Sequence, residues 1–193
     1  MPSHLFKYTD LEPLENHPPY GDFNILIVGT FNGKIDGNQA TWFYGRPDNE
    51  FWCLFPRMLD KESLHPVDNN QDMHKLTQEW RRFCSNHKII IVDLFKDIHI
   101  ELPNHSDKNL EKLKPNEYIA FDFQRAFANC KFKHVIFTWK GMANNTLTQL
   151  KTQYINYFAP RGSQIVHLLT PSMAYAKSRH FKLKQWKGTY QND

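Results

Sequence analysis

The sequence predicts an α/β protein, a three-layer α/β/α sandwich around a central four-stranded, mainly parallel sheet. Two observations predict it. Four short apolar segments recur along the 193 residues, and helical patterns or polar linkers separate them. These segments lack the alternation of polar and apolar residues, which is typical of parallel strands covered on both faces. A chain of this length can bury one sizeable core, so we expect a single domain over residues 1–193.

The first part of the chain predicts an irregular lead-in, one strand and one helix. Residues 1–22 are polar and rich in proline, which favours irregular structure. Residues 25–30 form the first predicted strand, and a glycine-containing loop follows over 31–48. A helical stripe then comes from Phe51, Leu54, Phe55 and Met58. Pro56 should kink this helix or end it early.

The remaining elements follow in alternation. A second helical stripe consists of Met73, Leu76, Trp80 and Phe83, and residues 88–94 form the second predicted strand. Residues 96–114 are polar and predict a long loop. Pro115 should open a third helix, whose apolar face would be Ile119, Phe123, Phe127 and Cys130.

Two more strands are predicted at 134–138 and 164–169, with a helix over 141–154 between them. A basic tail, helical or irregular, closes the chain. In a parallel sheet, all four strand ends should emerge at one edge, where α/β proteins bind ligands. Those ends are Gly29, Asp93, Thr138 and Thr170.

Composition narrows the class of function. The net charge is only +4, but the segment from residue 131 onward contains ten basic residues and a single acid, Asp193. This asymmetry indicates either a polyanionic partner or a solvated face. The three cysteines contain no C-x-x-C, so neither a disulfide framework nor a zinc or iron–sulfur site is indicated. The sequence lacks the apolar run of a signal peptide or a membrane span, which predicts a cytoplasmic protein without a membrane partner.

Two loops at the predicted edge carry the candidate site residues. The stretch 29–33, Gly-Thr-Phe-Asn-Gly, is neither a P-loop nor a dinucleotide fingerprint, and a tight turn would also explain it. Asp48 and Asn49 precede a helix, where they could cap it or face a ligand. Of the consecutive aromatics Trp42, Phe43 and Tyr44, at least one should line a cleft, where it could stack on a base.

Three segments together resemble the uracil-DNA glycosylase superfamily. They are the loop 29–33, the run Tyr-Gly-Arg-Pro-Asp-Asn-Glu-Phe-Trp over 44–52, and Leu-Thr-Pro-Ser-Met-Ala-Tyr-Ala over 169–176. Their order and spacing are similar to those of the mismatch-type and hypoxanthine-type branches. The iron–sulfur branches need four cysteines, and this chain has three.

The motifs depart from the superfamily pattern at several positions. Phe31 stands where the mismatch branch carries its catalytic Asn, and Asn32 stands where Pro is usual. The hypoxanthine-type branch draws instead on the Asn of the middle motif, which is Asn49 here. In the last motif, residues 173–175 are Met-Ala-Tyr, where small polar residues and Pro are usual.

The resemblance implies a DNA glycosylase that serves base-excision repair. It would hydrolyse the N-glycosidic bond of a flipped deaminated base, uracil or hypoxanthine, with DNA as its partner. It would act as a monomer without a metal or an organic cofactor. For catalysis, the resemblance implies Asn49 as the residue that positions the water, ahead of Asn32 and Asp48.

The resemblance also implies two sets of binding residues. The base would be bound by Gly29, Thr30, Phe31, Gly33, Phe43 and Tyr44. The DNA backbone would be bound by Pro171, Ser172, Met173, Lys177, Arg179 and Lys182.

Two other functions stay open at this point. One is a nucleic-acid-binding module that has kept the fold and lost catalysis, which the changes in the first and last motifs favour. The other is an enzyme that processes a nucleoside or nucleotide at the same edge. DNA binding without base release would indicate the first, and turnover of nucleosides without DNA affinity would indicate the second.

Overall fold

A computed structural model describes residues 2–36, 38–69, 72–104, 106–139, 145–173 and 176–191. Its central sheet contains four parallel strands, β1 (Gly21–Gly29), β2 (Ile89–Asp93), β5 (Cys130–Phe137) and β6 (Gln164–His167). They lie in the order β2–β1–β5–β6, with β1 and β5 in the middle. Helices flank the sheet, so the predicted α/β/α architecture is confirmed.

The helices occupy most of the positions that the periodicity indicates. In chain order they are α1 (Glu12–Asn16), α2 (Phe51–Met58), α3 (Pro66–Asn69), α4 (Met73–Asn86), α5 (Asp107–Leu110), α6 (Phe123–Ala126), α7 (Thr146–Phe158) and α8 (Arg179–Gln191). The stripes that predicted α2 and α4 are confirmed. The helix predicted over 141–154 corresponds to α7, and residues 141–144 lie outside the described part of the chain.

Pro56 does not end α2, which continues to Met58. A proline inside a helix lacks the N–H that would bond to the carbonyl four residues earlier, which here belongs to Trp52. The Trp52 carbonyl instead accepts a hydrogen bond from Leu64 N–H at 2.8 Å. The loop after the helix therefore replaces the missing bond.

The lead-in predicted to be irregular contains regular structure. A single π-helical turn spans Lys7–Leu11, and α1 follows it directly. Leu11 is fully buried and anchors this helical segment to the core. Before it, Ser3 bridges to Asp97 and His4 bridges to Gly33. Tertiary contacts thus order a stretch whose own sequence gives no periodic signal.

The region predicted as a long loop and a third helix also folds differently from the prediction. A second, antiparallel sheet pairs β3 (Phe95–Ile98) with β4 (Tyr118–Ala120), and α5 lies between them. Pro115 opens only a 3-10 turn, Pro115–Glu117. Ile119, placed on the apolar helix face by its spacing, is 41% exposed within β4. Pairing with β3 therefore overrides the local periodicity.

An aromatic core joins the middle motif to the helices beside it. The indole rings of Trp42, Trp52 and Trp80 stack in series, with centroid distances of 5.8 Å and 5.0 Å. Trp52 Nε1 donates to the Phe43 carbonyl, and Trp80 Nε1 donates to the Leu64 carbonyl. Every indole N–H of α2 and α4 is thus satisfied inside the core.

None of the helices in the described ranges combines the length and the apolar character that crossing a bilayer requires.

Candidate active site

A cavity of about 640 Å³ opens at the carboxyl edge of the central sheet. The strand-end residues Thr30, Asp93, Thr138 and Thr170 line it, which confirms that these ends meet at one edge. It lies where the strand order reverses, because the chain runs from β1 outward to β2 and later returns to the other side of β1 as β5. Such a reversal is where open α/β sheets bind ligands.

The structure brings many of the predicted site residues to this cavity. Its walls include all three predicted catalytic residues, Asn32, Asp48 and Asn49. They also include Thr30, Phe31, Tyr44, Pro171 and Ser172. The walls do not include Gly29, Gly33, Phe43, Met173, Lys177, Arg179 or Lys182.

A buried polar chain supports one side of the cavity. Asp93 ends β2, and its carboxylate oxygen Oδ2 lies 2.8 Å from His4 Nε2 and accepts a hydrogen bond of 3.1 Å from Asn32 Nδ2. Asp93 is 1% exposed and His4 is 2% exposed. The burial of a carboxylate is costly unless donors surround it, and these two side chains supply the donors.

Gly29 explains how this carboxylate reaches the middle of the sheet. A Cβ built at Gly29 would lie 2.1 Å from Asp93 Oδ1 and 2.7 Å from the Tyr44 hydroxyl. Only glycine therefore allows the two side chains to approach the end of β1 so closely. Gly29 does not line the cavity; it makes room for the groups that do.

Tyr44 connects the middle motif to the central strands. Its hydroxyl lies 3.1 Å from Thr138 Oγ1, just beyond the end of β5, and its ring stacks on Phe51 at 4.1 Å. Burial, followed by the negative charge of Asp93, raises the pKa of Tyr44 well above its ordinary value. The group is therefore a neutral phenol at neutral pH. Trp42, Phe43 and Tyr44 are all buried in the core, and Tyr44 also reaches the cavity wall.

Asp107 supplies a second carboxyl group to the cavity. It is the first residue of α5, and Thr30 Oγ1 donates a 2.8 Å hydrogen bond to its Oδ1. Burial is the largest cause that raises the pKa of Asp107, and the charges of Asp93 and Glu111 raise it further. The hydrogen bond from Thr30 acts in the opposite direction. A carboxyl group of raised pKa beside a second carboxylate is a frequent arrangement in acid–base catalysis.

Asn49 is held mainly by the backbone around it. Its Oδ1 accepts a 3.0 Å hydrogen bond from Phe51 N–H at the start of α2, and the residue is 8% exposed. Asn49 also forms a bridge with Ser172, and Glu50 N–H donates to the Pro171 carbonyl. The middle motif and the last motif are thus joined along one wall of the cavity.

The prediction that Lys182 contacts DNA is wrong, because Lys182 is fully buried. Its Nζ donates to Glu50 Oε2 at 2.6 Å and to the Ser172 carbonyl at 2.9 Å. Arg179 also forms ion pairs, with Glu50 Oε1 and with Asp68 Oδ1, both at 3.0 Å. These cations connect α8 to Glu50 just before α2, to Asp68 in α3 and to Ser172 of the last motif.

The basic residues of the C-terminal third do not form one surface at the cavity. Lys131 and Lys133 lie in the first half of β5, away from its carboxyl end at the cavity. Lys151 is 7% exposed and packs over Trp139. Lys177 and Lys184 are exposed, whereas Lys140 lies outside the described residues.

The cavity itself carries more acidic than basic residues. The charged residues on its walls are Asp48, Asp93, Asp107, Glu111, Arg46 and Lys108.

Sequence reasoning did not select His4, Asp93 or Asp107 as site residues. Asp93 gave a usable signal, because it is an acid at the end of a strand that is otherwise apolar. His4 and Asp107 gave none, since each reaches the site through contacts 77 to 89 residues away in sequence.

Comparison of the sequence with protein-family models gives no match, and comparison with curated proteins gives none either.

Proposed function

We propose that this chain hydrolyses the N-glycosidic bond of a deaminated base in DNA. One observation carries the proposal: two carboxyl groups, an asparagine amide and an aromatic side chain line one cavity at the reversal of strand order. Those groups are Asp93, Asp107, Asn32 and Phe31. The resemblance of the loops to the uracil-DNA glycosylase superfamily supports the same reaction.

The reaction needs three kinds of group, and the cavity offers candidates for each. As the bond between the base and C1′ breaks, its electron pair leaves with the base and the sugar acquires oxocarbenium character. The carboxylate of Asp93 would stabilise that positive charge. Backbone N–H groups of the loop 30–32 would stabilise the departing base anion. A water molecule then bonds to C1′ and loses a proton.

Asp107 is our candidate for the base that accepts this proton. A carboxylate with a raised pKa is a better proton acceptor near neutral pH than an ordinary one. Its hydrogen bond from Thr30 fixes the direction of the carboxyl group. The proton then passes to solvent or to the departed base, which returns Asp107 to its ionised form.

We assign the positioning of the water to Asn32 and not to Asn49. The Asn49 side-chain carbonyl already accepts the N–H of Phe51 and so acts at the start of a helix. The Asn32 side-chain nitrogen donates to Asp93, and no other residue in the described ranges donates to its Oδ1. That oxygen is therefore suited to accept a hydrogen bond from the attacking water.

The mouth of the cavity has features suited to a flipped nucleotide. Phe31 is partly buried and offers an aromatic wall, while one face of Tyr44 is covered by Phe51. Met173 is 52% exposed directly after the cavity residue Ser172, where it could fill the space left by an extruded base.

The acidity of the cavity favours a second candidate, a nucleoside or nucleotide as substrate. Four acids and two bases on the walls would repel a phosphate backbone more than they attract it. Carboxylates can also accept hydrogen bonds from the hydroxyl groups of a sugar.

The test is a panel of substrates that separates these functions. Oligonucleotides with uracil, hypoxanthine, xanthine or mismatched thymine, single- and double-stranded, are scored for alkali-labile sites, beside the corresponding nucleosides scored for base release. The variant Asp107→Asn should lose turnover of the active substrate, while Asp22→Asn, an exposed carboxyl on β1, should not.

Each result has a definite meaning. Abasic sites in DNA support the proposal. Release of bases from nucleosides alone selects the second candidate. Salt-sensitive DNA binding without turnover of any substrate would contradict an enzymatic function and indicate a binding module.

A further inference from the structure

We propose that His4 is a positioning residue, which fixes the side-chain amide of Asn32 by way of Asp93. This inference rests on the proposed function for its catalytic meaning. The chain of contacts is continuous, since His4 Nε2 lies 2.8 Å from Asp93 Oδ2 and Asn32 Nδ2 lies 3.1 Å from the same oxygen. His4 lies behind the cavity and does not line it.

The backbone of the N-terminal segment determines the tautomer of His4. Phe6 N–H donates a 2.9 Å hydrogen bond to His4 Nδ1. A ring nitrogen that accepts a hydrogen bond carries no proton, so the proton of the neutral ring is on Nε2. His4 Nε2–H therefore donates to Asp93 Oδ2.

Asp93 in turn determines the orientation of the Asn32 amide. An ionised carboxylate only accepts hydrogen bonds, so the nitrogen of the amide must face it. The Asn32 oxygen then points to the other side, and Asn32 is part of the cavity wall. If His4 did not donate, the carboxylate would lose one of the two side-chain donors that it has among the described residues, and it could rotate away from Asn32.

The main chain holds this arrangement at three further points. Leu5 N–H donates to the Asn32 carbonyl, and Lys34 N–H donates to the Ser3 carbonyl, each at 2.8 Å. Ile98 N–H donates to the Pro2 carbonyl at 3.3 Å. The segment that carries His4 is therefore paired with the loop that carries Asn32, which keeps the two side chains in register.

The experiment compares His4→Leu with His4→Gln, because the Gln side-chain nitrogen can replace His Nε2 as a donor. Phe6→Leu is the matched control, since it changes a buried ring in the same segment and keeps the donor. The first readout is the side-chain amide resonance of Asn32 in ¹H–¹⁵N spectra, which needs no substrate. The second is kcat and KM on the substrate that the panel identifies.

We expect His4→Leu to shift the Asn32 amide resonance and to lower kcat about a hundred-fold with KM nearly unchanged. His4→Gln and Phe6→Leu should keep the resonance and most of the rate. The wild-type ring should show the Nε2–H tautomer in long-range ¹H–¹⁵N spectra, a measurement that requires no variant.

An Nδ1–H tautomer, or an Asn32 resonance that is the same in His4→Leu, overturns the inference. So does an equal loss of rate in His4→Leu and His4→Gln. If the wild type acts on no substrate, the proposed function fails, and the spectra alone still decide whether His4 fixes Asn32.

Discussion

At Asp107, one carboxyl group has two opposed effects, on stability and on chemistry. Because burial and the charge of Asp93 raise its pKa, the folded protein binds its proton more tightly than the unfolded chain does. The stability that this group contributes is therefore fully present below its ordinary pKa of 3.8 and is lost as the pH rises through the raised value. When Asp107 is ionised, the folded protein is less stable, but the carboxylate can accept a proton in the reaction.

We therefore predict that Asp107→Asn stabilises the protein at neutral pH and removes its activity. The Asn oxygen can still accept the hydrogen bond from Thr30, and the cost of burying a charge disappears. Thermal melts of both proteins across pH 3 to 8 should show a difference that grows with pH. A constant difference would mean that Asp107 has an ordinary pKa.

Asn32 and Asn49 should respond differently to removal of the amide. Asn32→Ala should lower kcat on the order of a hundred- to a thousand-fold, because one preorganised polar group is lost from the reaction. Asn49→Ala should instead destabilise the protein by about 1 kcal/mol, because the Phe51 N–H at the start of α2 loses its hydrogen-bond acceptor. Steady-state rates and denaturant unfolding measure the two effects. The opposite result would assign the positioning of the water to Asn49.

At the level of secondary-structure elements, the end of β1 admits only a hydrogen atom as side chain. We predict that Gly29→Ala costs about 1–3 kcal/mol, the range for overpacking, and that it abolishes activity by displacing Asp93 and Tyr44. Gly188→Ala on α8 is the control, because a Cβ there meets nothing within 4 Å. Equal stability and full activity of Gly29→Ala would contradict the close approach.

A buried ion pair joins Lys182 of α8 to Glu50, the residue before α2. Lys182→Met should destabilise the protein by about 1.5–3 kcal/mol, because the buried carboxylate of Glu50 loses one of the two cations that pair with it in the described part of the chain. Lys184→Met, two residues along the same helix and exposed, should change stability little. Chemical denaturation gives both values, and similar values would show that the pair contributes nothing.

Individual elements were predicted from the sequence where one local pattern decides the structure. The second half of β1, most of β2, and the helices α2 and α4 each bury a nearly continuous run or a regular stripe, so their sequences suffice. The segment from Phe95 to Ala120 was predicted incorrectly, because its short strands become stable only when paired with each other. Pro115 opens a turn as readily as a helix, and the sequence does not distinguish them.

For the whole molecule, charge could be counted from the sequence but not located. Of the cations in the C-terminal third, Lys182 and Lys151 are buried and Arg179 is paired. The cavity could be inferred at the strand ends because parallel topology alone brings them together. The polar groups that support the cavity could not be predicted, because His4 and Asp93 lie 89 residues apart in the sequence.

This distribution predicts where DNA affinity originates, if the substrate is DNA. Lys177→Glu, which changes an exposed cation shortly after the last motif, should reduce the slope of log affinity against log salt by about 0.9 per lost phosphate contact. Lys133→Glu, in the first half of β5 and away from the cavity, should leave the slope unchanged. Fluorescence-anisotropy titrations at several salt concentrations measure both. A larger effect at Lys133 would place the DNA on the other side of the molecule.

The three stacked indoles give the folded protein an optical signature. Trp42, Trp52 and Trp80 are packed in series, with ring centroids 5.8 Å and 5.0 Å apart, so these immobilised indoles should contribute a near-ultraviolet circular dichroism signal that the unfolded chain lacks. That signal vanishes when the motif loop separates from the helices. Trp139 lies apart from them on the cavity wall, and its emission should respond to a base that enters the cavity. Unfolding and ligand entry can thus be followed at different indoles of one unlabelled protein.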